Sequence, residues 1–391
     1  VKKKIILPLL AFAILASLFF PRCDVPDFRE MDDIRIKLIW NKSYPTQTGA
    51  DVMRGLIWDL SWLGAELPAG SFDAAVTYDA ADSTRFTLNI DSLGFSETGR
   101  AALFVICDSI MKSEEYKKYG GIDVGKFVTL TLGTSWHYYR ITGVPETLEE
   151  FRWLHRLDSS YTFGVTQSSI SEGHRRILFS RDTSLFSCGF VGEEGMGSLS
   201  DGTFRPEIFE CFDFMPNGQL RFMIYDAGGR LTSGTPAELG DAGKPAKCLW
   251  CHETAILPLF IGNTPVPNML TNEEFLAIRD SMQSRLERYR LTLNTDMNWK
   301  DRSSHTKGEL LYITYMEPTK MHLMNEWGLS EADVNALMRQ EDAERFREFD
   351  YIGDVYTRSG ADARFHDSLP TLPYPVSVRE TASEVNYFRQ Q

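Results

Sequence analysis

Apolar positions change their spacing several times along this chain, and each change predicts a different element. Residues 5–20 are uncharged and almost wholly apolar, and Val1-Lys-Lys-Lys4 precedes them. An apolar run of that length behind a basic start has the shape of a secretory signal and is short for a spanning helix. Ile34–Trp40 alternates and predicts a strand, whereas Met53, Leu56, Ile57, Leu60 and Leu63 recur at helical spacing. A strand over Arg85–Ile90 and a helix from a Ser96 cap to about Met111 follow. Lys126–Leu132 reads as another strand. Trp136–Thr142 is an unusual aromatic run whose His137 reads as a core histidine bonded to a neighbour. Thr147-Leu-Glu-Glu150 reads as the capping box of a short helix.

From Tyr161 to Leu231 the period changes to two. Arg176–Ser180 and Leu185–Phe190 read as strands, and Ile208–Phe214 with Leu220–Tyr225 as a hairpin turning through Pro216-Asn217-Gly218. Residues 232–247 are rich in Gly, Pro and Ala and read as a linker. Beyond it the boxes Thr271–Glu274, Thr306–Glu309 and Ser330–Asp333 announce helices to about Leu291, through Tyr315 and to about Phe349. Pro370, Pro373 and Pro375 suggest an extended tail. The expected class is α+β, with a mixed α/β and β-rich N-terminal half before a mainly helical C-terminal region. The expected divisions are 1–23 as export segment, 24–235, 236–350, and a C-terminal extension over 351–391.

Composition narrows the function. A formal charge of −13 over 391 residues leaves no basic stripe for phosphates, which argues against nucleic acid. No Gly-rich phosphate loop, Gly-x-Ser-x-Gly elbow or His-Glu-x-x-His pair occurs. The chemistry is concentrated at Cys248-Leu-Trp-Cys-His252. Cys-x-x-Cys-His is the attachment signature of a c-type haem: two thiols two residues apart reach one edge of the porphyrin, and the next histidine faces the iron. A zinc clip would want a second Cys pair or closely spaced histidines, and the other cysteines supply neither. A thioredoxin-like pair would want a strand just before the motif, where this chain has turn residues.

Cys23 follows the apolar run, so the start resembles a bacterial lipoprotein signal, which implies lipid attachment at Cys23. Export permits disulfides, and Cys188 with Cys211, each flanked by strand-like runs, is the expected pair. Cys107 lies on an apolar helix face and reads as a buried thiol.

The motif looks like a c-type cytochrome attachment site. Tyr315-Met-Glu-Pro-Thr-Lys-Met321, followed by the helix from Ser330, is similar to the distal-methionine loop and last helix of small monohaem cytochromes c. The resemblance implies haem c held by Cys248 and Cys251, His252 as proximal iron ligand and Met321 opposite it, with Met316, Met324, Met269, His305 and His322 as other available ligands. It departs from the family in having a Gly/Pro-rich stretch where a helix precedes the motif. It implies one-electron transfer with a redox partner protein of the cell envelope, in the periplasm or at the cell surface, anchored to a membrane by the N-terminal segment. Two other readings stay open. One is a non-redox exported binding or structural lipoprotein with the Cys pair as disulfide or zinc clip; the other is a haem enzyme with an open sixth iron site.

Overall fold

The structure, a computed structural model, describes residues 33–166, 175–181, 184–240, 243–257, 265–301, 303–365 and 384–389. The expected export segment with Cys23 lies outside the described residues, as do the tail prolines. Among the described residues no helix is long and apolar enough to cross a membrane. The elements in chain order are β1 (Arg35–Ile39), α1 (Gly49–Trp62), α2 (Ser71–Ala75), β2 (Val76–Tyr78), β3 (Arg85–Asn89), α3 (Glu97–Lys112), α4 (Glu114–Tyr119), β4 (Ile122–Asp123), α5 (Val124–Thr131), α6 (Ser135–Thr142) and α7 (Leu148–Leu154). Then come β5 (Ser160–Val165), β6 (Arg175–Ser180), β7 (Phe190–Met196), β8 (Arg205–Phe214), β9 (Leu220–Asp226), α8 (Pro245–His252), α9 (Asn272–Arg290), α10 (Ser303–Met316), α11 (Lys320–Trp327), α12 (Glu331–Met338) and α13 (Arg358–Arg364).

The fold is mixed α+β with two sheets. A small sheet runs β2-β3-β1-β4, antiparallel except for the β1–β4 pair; a larger one is the antiparallel meander β5-β6-β7-β8-β9. The period of two assigns the faces of the meander. Phe163, Phe179, Phe190, Glu194, Glu210, Phe212 and Phe222 share one face by register; Arg176, Glu193, Cys211, Asp213 and Arg221 share the other. Helices α8 and α9 cover the first face. Phe275 of α9 stacks on Phe163 at 4.2 Å, and His252 of α8 lies against Phe222 at 5.2 Å. On the second face Arg221 grips Asp213 with two bonds of 2.8 and 2.6 Å, and Asp213 also meets His155 at 3.1 Å.

Helix α10 joins the halves. It crosses α1 so closely that a Cβ on Gly55 would lie 2.8 Å from the Lys307 carbonyl carbon, and one on Gly308 would lie 2.5 Å from Asp59 Oδ1. Farther along, its Tyr312 ring meets Trp250 of α8 at 4.9 Å. Residues from Ile34 onward form one compact unit, and the expected junction near 235 falls inside it.

Several expectations are corrected. Lys126–Thr131 is helix, not strand, and Leu132 caps it. Asp123 caps the Gly125 and Lys126 amides, and the hydroxyls of Thr129 and Thr131 bond back to the carbonyls of Gly125 and Phe127, which overrides the β-branched composition. Trp136–Thr142 lies in α6. The hydroxyls of Tyr138 and Tyr139 accept from the Phe222 and Ile224 amides on the outer edge of β9. His137 is a core histidine of that helix, as expected, bonded to Leu130 and Tyr387. Leu185–Ser187 is a 3-10 turn, and the strand begins only at Phe190. Helix α10 starts at Ser303, which places Thr306–Glu309 inside it, and α12 ends at Met338 rather than near Phe349.

The expected Cys188–Cys211 disulfide is absent: both are buried and neither is in a disulfide. Cys211 stands opposite Val191, three residues past Cys188, and three strand residues span roughly 10 Å, beyond disulfide reach. Cys107 is a free buried thiol on α3 as expected.

Candidate functional site

The motif occupies α8, whose first residue is Pro245, a position where the missing N–H costs nothing. Just before it, Lys244 is fully buried and paired with Glu384 Oε1 at 2.6 Å, so this stretch is fixed rather than a loose linker. Cys248, Cys251 and His252 stand at i, i+3 and i+4 and share one face of the last turns. Leu249 and Trp250 are buried in the core shared with α10. Cys248 is buried, Cys251 half-buried, and both are free.

His252 ends the helix. Its Nδ1 lies 3.3 Å from the Ala255 carbonyl, which can only accept. The proton therefore sits on Nδ1, and Nε2 carries the lone pair. Phe212 and Phe222 flank the ring at 5.9 and 5.2 Å. Burial pulls its pKa down to about 4, with the nearby Arg175 charge adding to that, so the imidazole is neutral near pH 7. Burial likewise pushes the Cys248 thiol well up, and the Cys251 thiol up against the opposing pull of Lys247.

Beside the motif lies a buried group the sequence did not reveal. The Arg175 guanidinium contacts both Glu194 and Glu210, and Thr235 Oγ1 donates to Glu210 Oε1 at 2.6 Å. Were both carboxyls ionised, the one guanidinium would leave a negative charge unbalanced. Burial, then the neighbouring Glu210, raises Glu194 to about 8 against the pull of Arg175. The charges of Glu210, Arg175 and Glu194 act on Cys248. The available signal was the alternation in Phe190–Met196, which puts Glu194 on the face of Phe190.

At the end of the motif helix, His305 Nε2 stands 3.4 Å from Glu253 Oε1, and burial lifts Glu309 to about 7, with Lys247 opposing. Of the sequence-expected distal groups, this one is brought to the end of the motif helix. Met321 lies on α11, whose buried Leu323 packs with Val334 and Met338 of α12 in a separate small core. His322 is held elsewhere, with Nδ1 2.9 Å from Ser43 Oγ and Nε2 3.5 Å from Asp123 and Glu326. Among the described residues no three His, Cys, Asp or Glu side chains are grouped to hold a metal ion.

Comparison with family models, with curated proteins and with solved structures finds no match to this chain.

Proposed function

We propose that this chain holds a haem c covalently on the Cys248–His252 turn and serves one-electron transfer outside the cytoplasm. The observation that carries the reading is Cys248, Cys251 and His252 on one helical face, with His252 Nδ1 turned to the Ala255 carbonyl at 3.3 Å. With Nδ1 committed to the Ala255 carbonyl, Nε2 is left as a neutral donor, which is how ligating histidines are oriented. Two free thiols on the same helical face complete the donor set.

In this reading Cys248 and Cys251 hold the porphyrin by thioethers, and His252 ligates the iron. The haem supplies a one-electron couple when bound. The residues of this chain set its surroundings: Phe212 and Phe222 hold the imidazole plane, and the buried Glu194, Glu210 and Arg175 set the charge nearby. A redox partner protein of the cell envelope would exchange the electron. The apolar run 5–20 and Cys23 support export and attachment to a membrane surface.

The clip readings are less well supported. A reactive thiol pair wants a lowered pKa, and both thiols here are raised. A zinc clip wants further donors, and the described residues group none.

The test is the full chain produced in a host with intact haem-ligation machinery. A Soret band that survives acid-acetone extraction, with the matching mass increase, is expected, and both should be lost in Cys248→Ala/Cys251→Ala. A colourless protein of unchanged mass would remove the reading. Carbon monoxide uptake by the reduced protein separates an open sixth site from a ligated one.

A further inference from the structure

Arg290 ends α9, where a basic side chain ordinarily reaches solvent. Here it is buried at 7% exposure. Glu287, one turn back, acts on it through its charge, and its printed hydrogen bonds all go to oxygens of Gly218 and Thr254. Its Nε and Nη2 donate to the Gly218 carbonyl at 2.9 and 2.8 Å, and Nη2 also donates to the Thr254 carbonyl at 2.6 Å and to Thr254 Oγ1. The guanidinium lies over the Trp299 ring at 4.3 Å. Burial lowers its pKa to about 9, which leaves it charged at neutral pH.

Its two targets belong to two different turns. Gly218 belongs to the β8–β9 turn, and the strands of that hairpin carry Phe212 and Phe222, the rings that flank the imidazole. Thr254 belongs to the turn leaving the motif, where Glu253 and Thr254 both take left-handed backbone, with φ of 47° and 71°. Neither is glycine, so the turn persists only where its surroundings hold it. Two turns earlier on α9, Gln283 Oε1 accepts from the Ile256 amide at 2.9 Å. Helix α9 thus grips residues 254 and 256 and brackets Ala255, whose carbonyl sets the proton on His252.

We propose that Arg290 is the positioning residue of the motif: by bonding Thr254 and Gly218 together it aims the Ala255 carbonyl at His252 Nδ1 and holds Nε2 as the free donor. That the free donor serves an iron rests on the function proposed above; the positioning itself does not.

The experiment uses the full chain made without haem-ligation machinery, with ¹⁵N-labelled histidine and NMR of the imidazole nitrogens. The wild type is expected to show His252 as the single Nδ1–H tautomer. Arg290→Met should lose that single-tautomer pattern and give a mixture, and Gln283→Met should do so more weakly. Arg290→Lys, which can reach one target but not fork to both, should restore it in part. If Arg290→Met is too unstable to measure, Arg290→Lys and Gln283→Met decide the matter. Folded variants that keep the wild-type tautomer would overturn the proposal. A chain that never takes up haem, yet changes tautomer in these variants, would remove the proposed function and leave this inference standing.

Discussion

Lys244 and Glu384 face each other at 2.6 Å with neither side chain exposed to solvent, which ties the entrance of the motif helix to a segment near the end of the chain. Glu384 also accepts from the Ser135 amide at 2.8 Å. Removing one member leaves a buried, uncompensated charge, which costs about 3–5 kcal/mol. Glu384→Ala should therefore lower the unfolding free energy by that order in a denaturant titration. A double-mutant cycle with Lys244→Met should show strong positive coupling, because the double variant leaves no orphaned ion.

A second contact of the same segment makes it acid-sensitive. His137 donates from Nδ1 to the Leu130 carbonyl at 2.5 Å and accepts at Nε2 from the Tyr387 amide at 3.1 Å, so it must be neutral. Burial lowers it from 6.5 to about 4. Between those values the unfolded chain binds the proton and the folded one does not. Stability is fully present above pH 6.5 and falls as pH drops to 4, by roughly 3 kcal/mol in all. His137→Gln should flatten that part of the pH profile. Amide exchange at Tyr387 should accelerate on acidification in the wild type.

Glu194 works in the opposite direction. Its folded value of about 8 lies above the ordinary 4.5, so the folded chain holds a proton that the unfolded chain releases. That contribution is complete below pH 4.5 and is lost as pH rises to 8. Infrared spectroscopy at neutral pH should show a protonated carboxyl stretch that disappears in Glu194→Gln. Glu210→Gln removes the like charge and should bring the titration of Glu194 down.

The crossing of α1 and α10 admits no added methyl. Gly308→Ala would place a Cβ against Asp59 Oδ1 and the nearby Gly55 carbonyl. The strain, about 1–3 kcal/mol, should exceed the gain in helix propensity of about 1 kcal/mol. Asp59 is fully buried, both its oxygens lack partners among the described residues, and burial holds its pKa well above the usual range. Asp59→Ala should accordingly relieve much of the Gly308→Ala penalty, which thermal unfolding of the single and double variants would show.

What could be read from the sequence follows from where the determinants lie. The β8–β9 hairpin and α9 were legible because their signals are local: Pro216-Asn217-Gly218 with Gly218 at φ 85°, and a reciprocal Thr271/Glu274 cap. Helix α5 was not, because Val128, Thr129 and Thr131 resemble a strand until the Asp123 cap and the threonine back-bonds are seen. The thiols and His252 could be named from spacing alone. Arg175, Glu194, Glu210 and Arg290 could not, because their meaning depends on a sheet face and a helix end that meet only in the fold.

The tyrosine hydroxyls laid along β9 have a consequence for how this molecule behaves in a crowd. Phe222 and Ile224 already give their amides to Tyr138 and Tyr139. A strand arriving from a second molecule would find those sites taken, so the meander is sealed against growth on that side and copies of the chain cannot zip together through it.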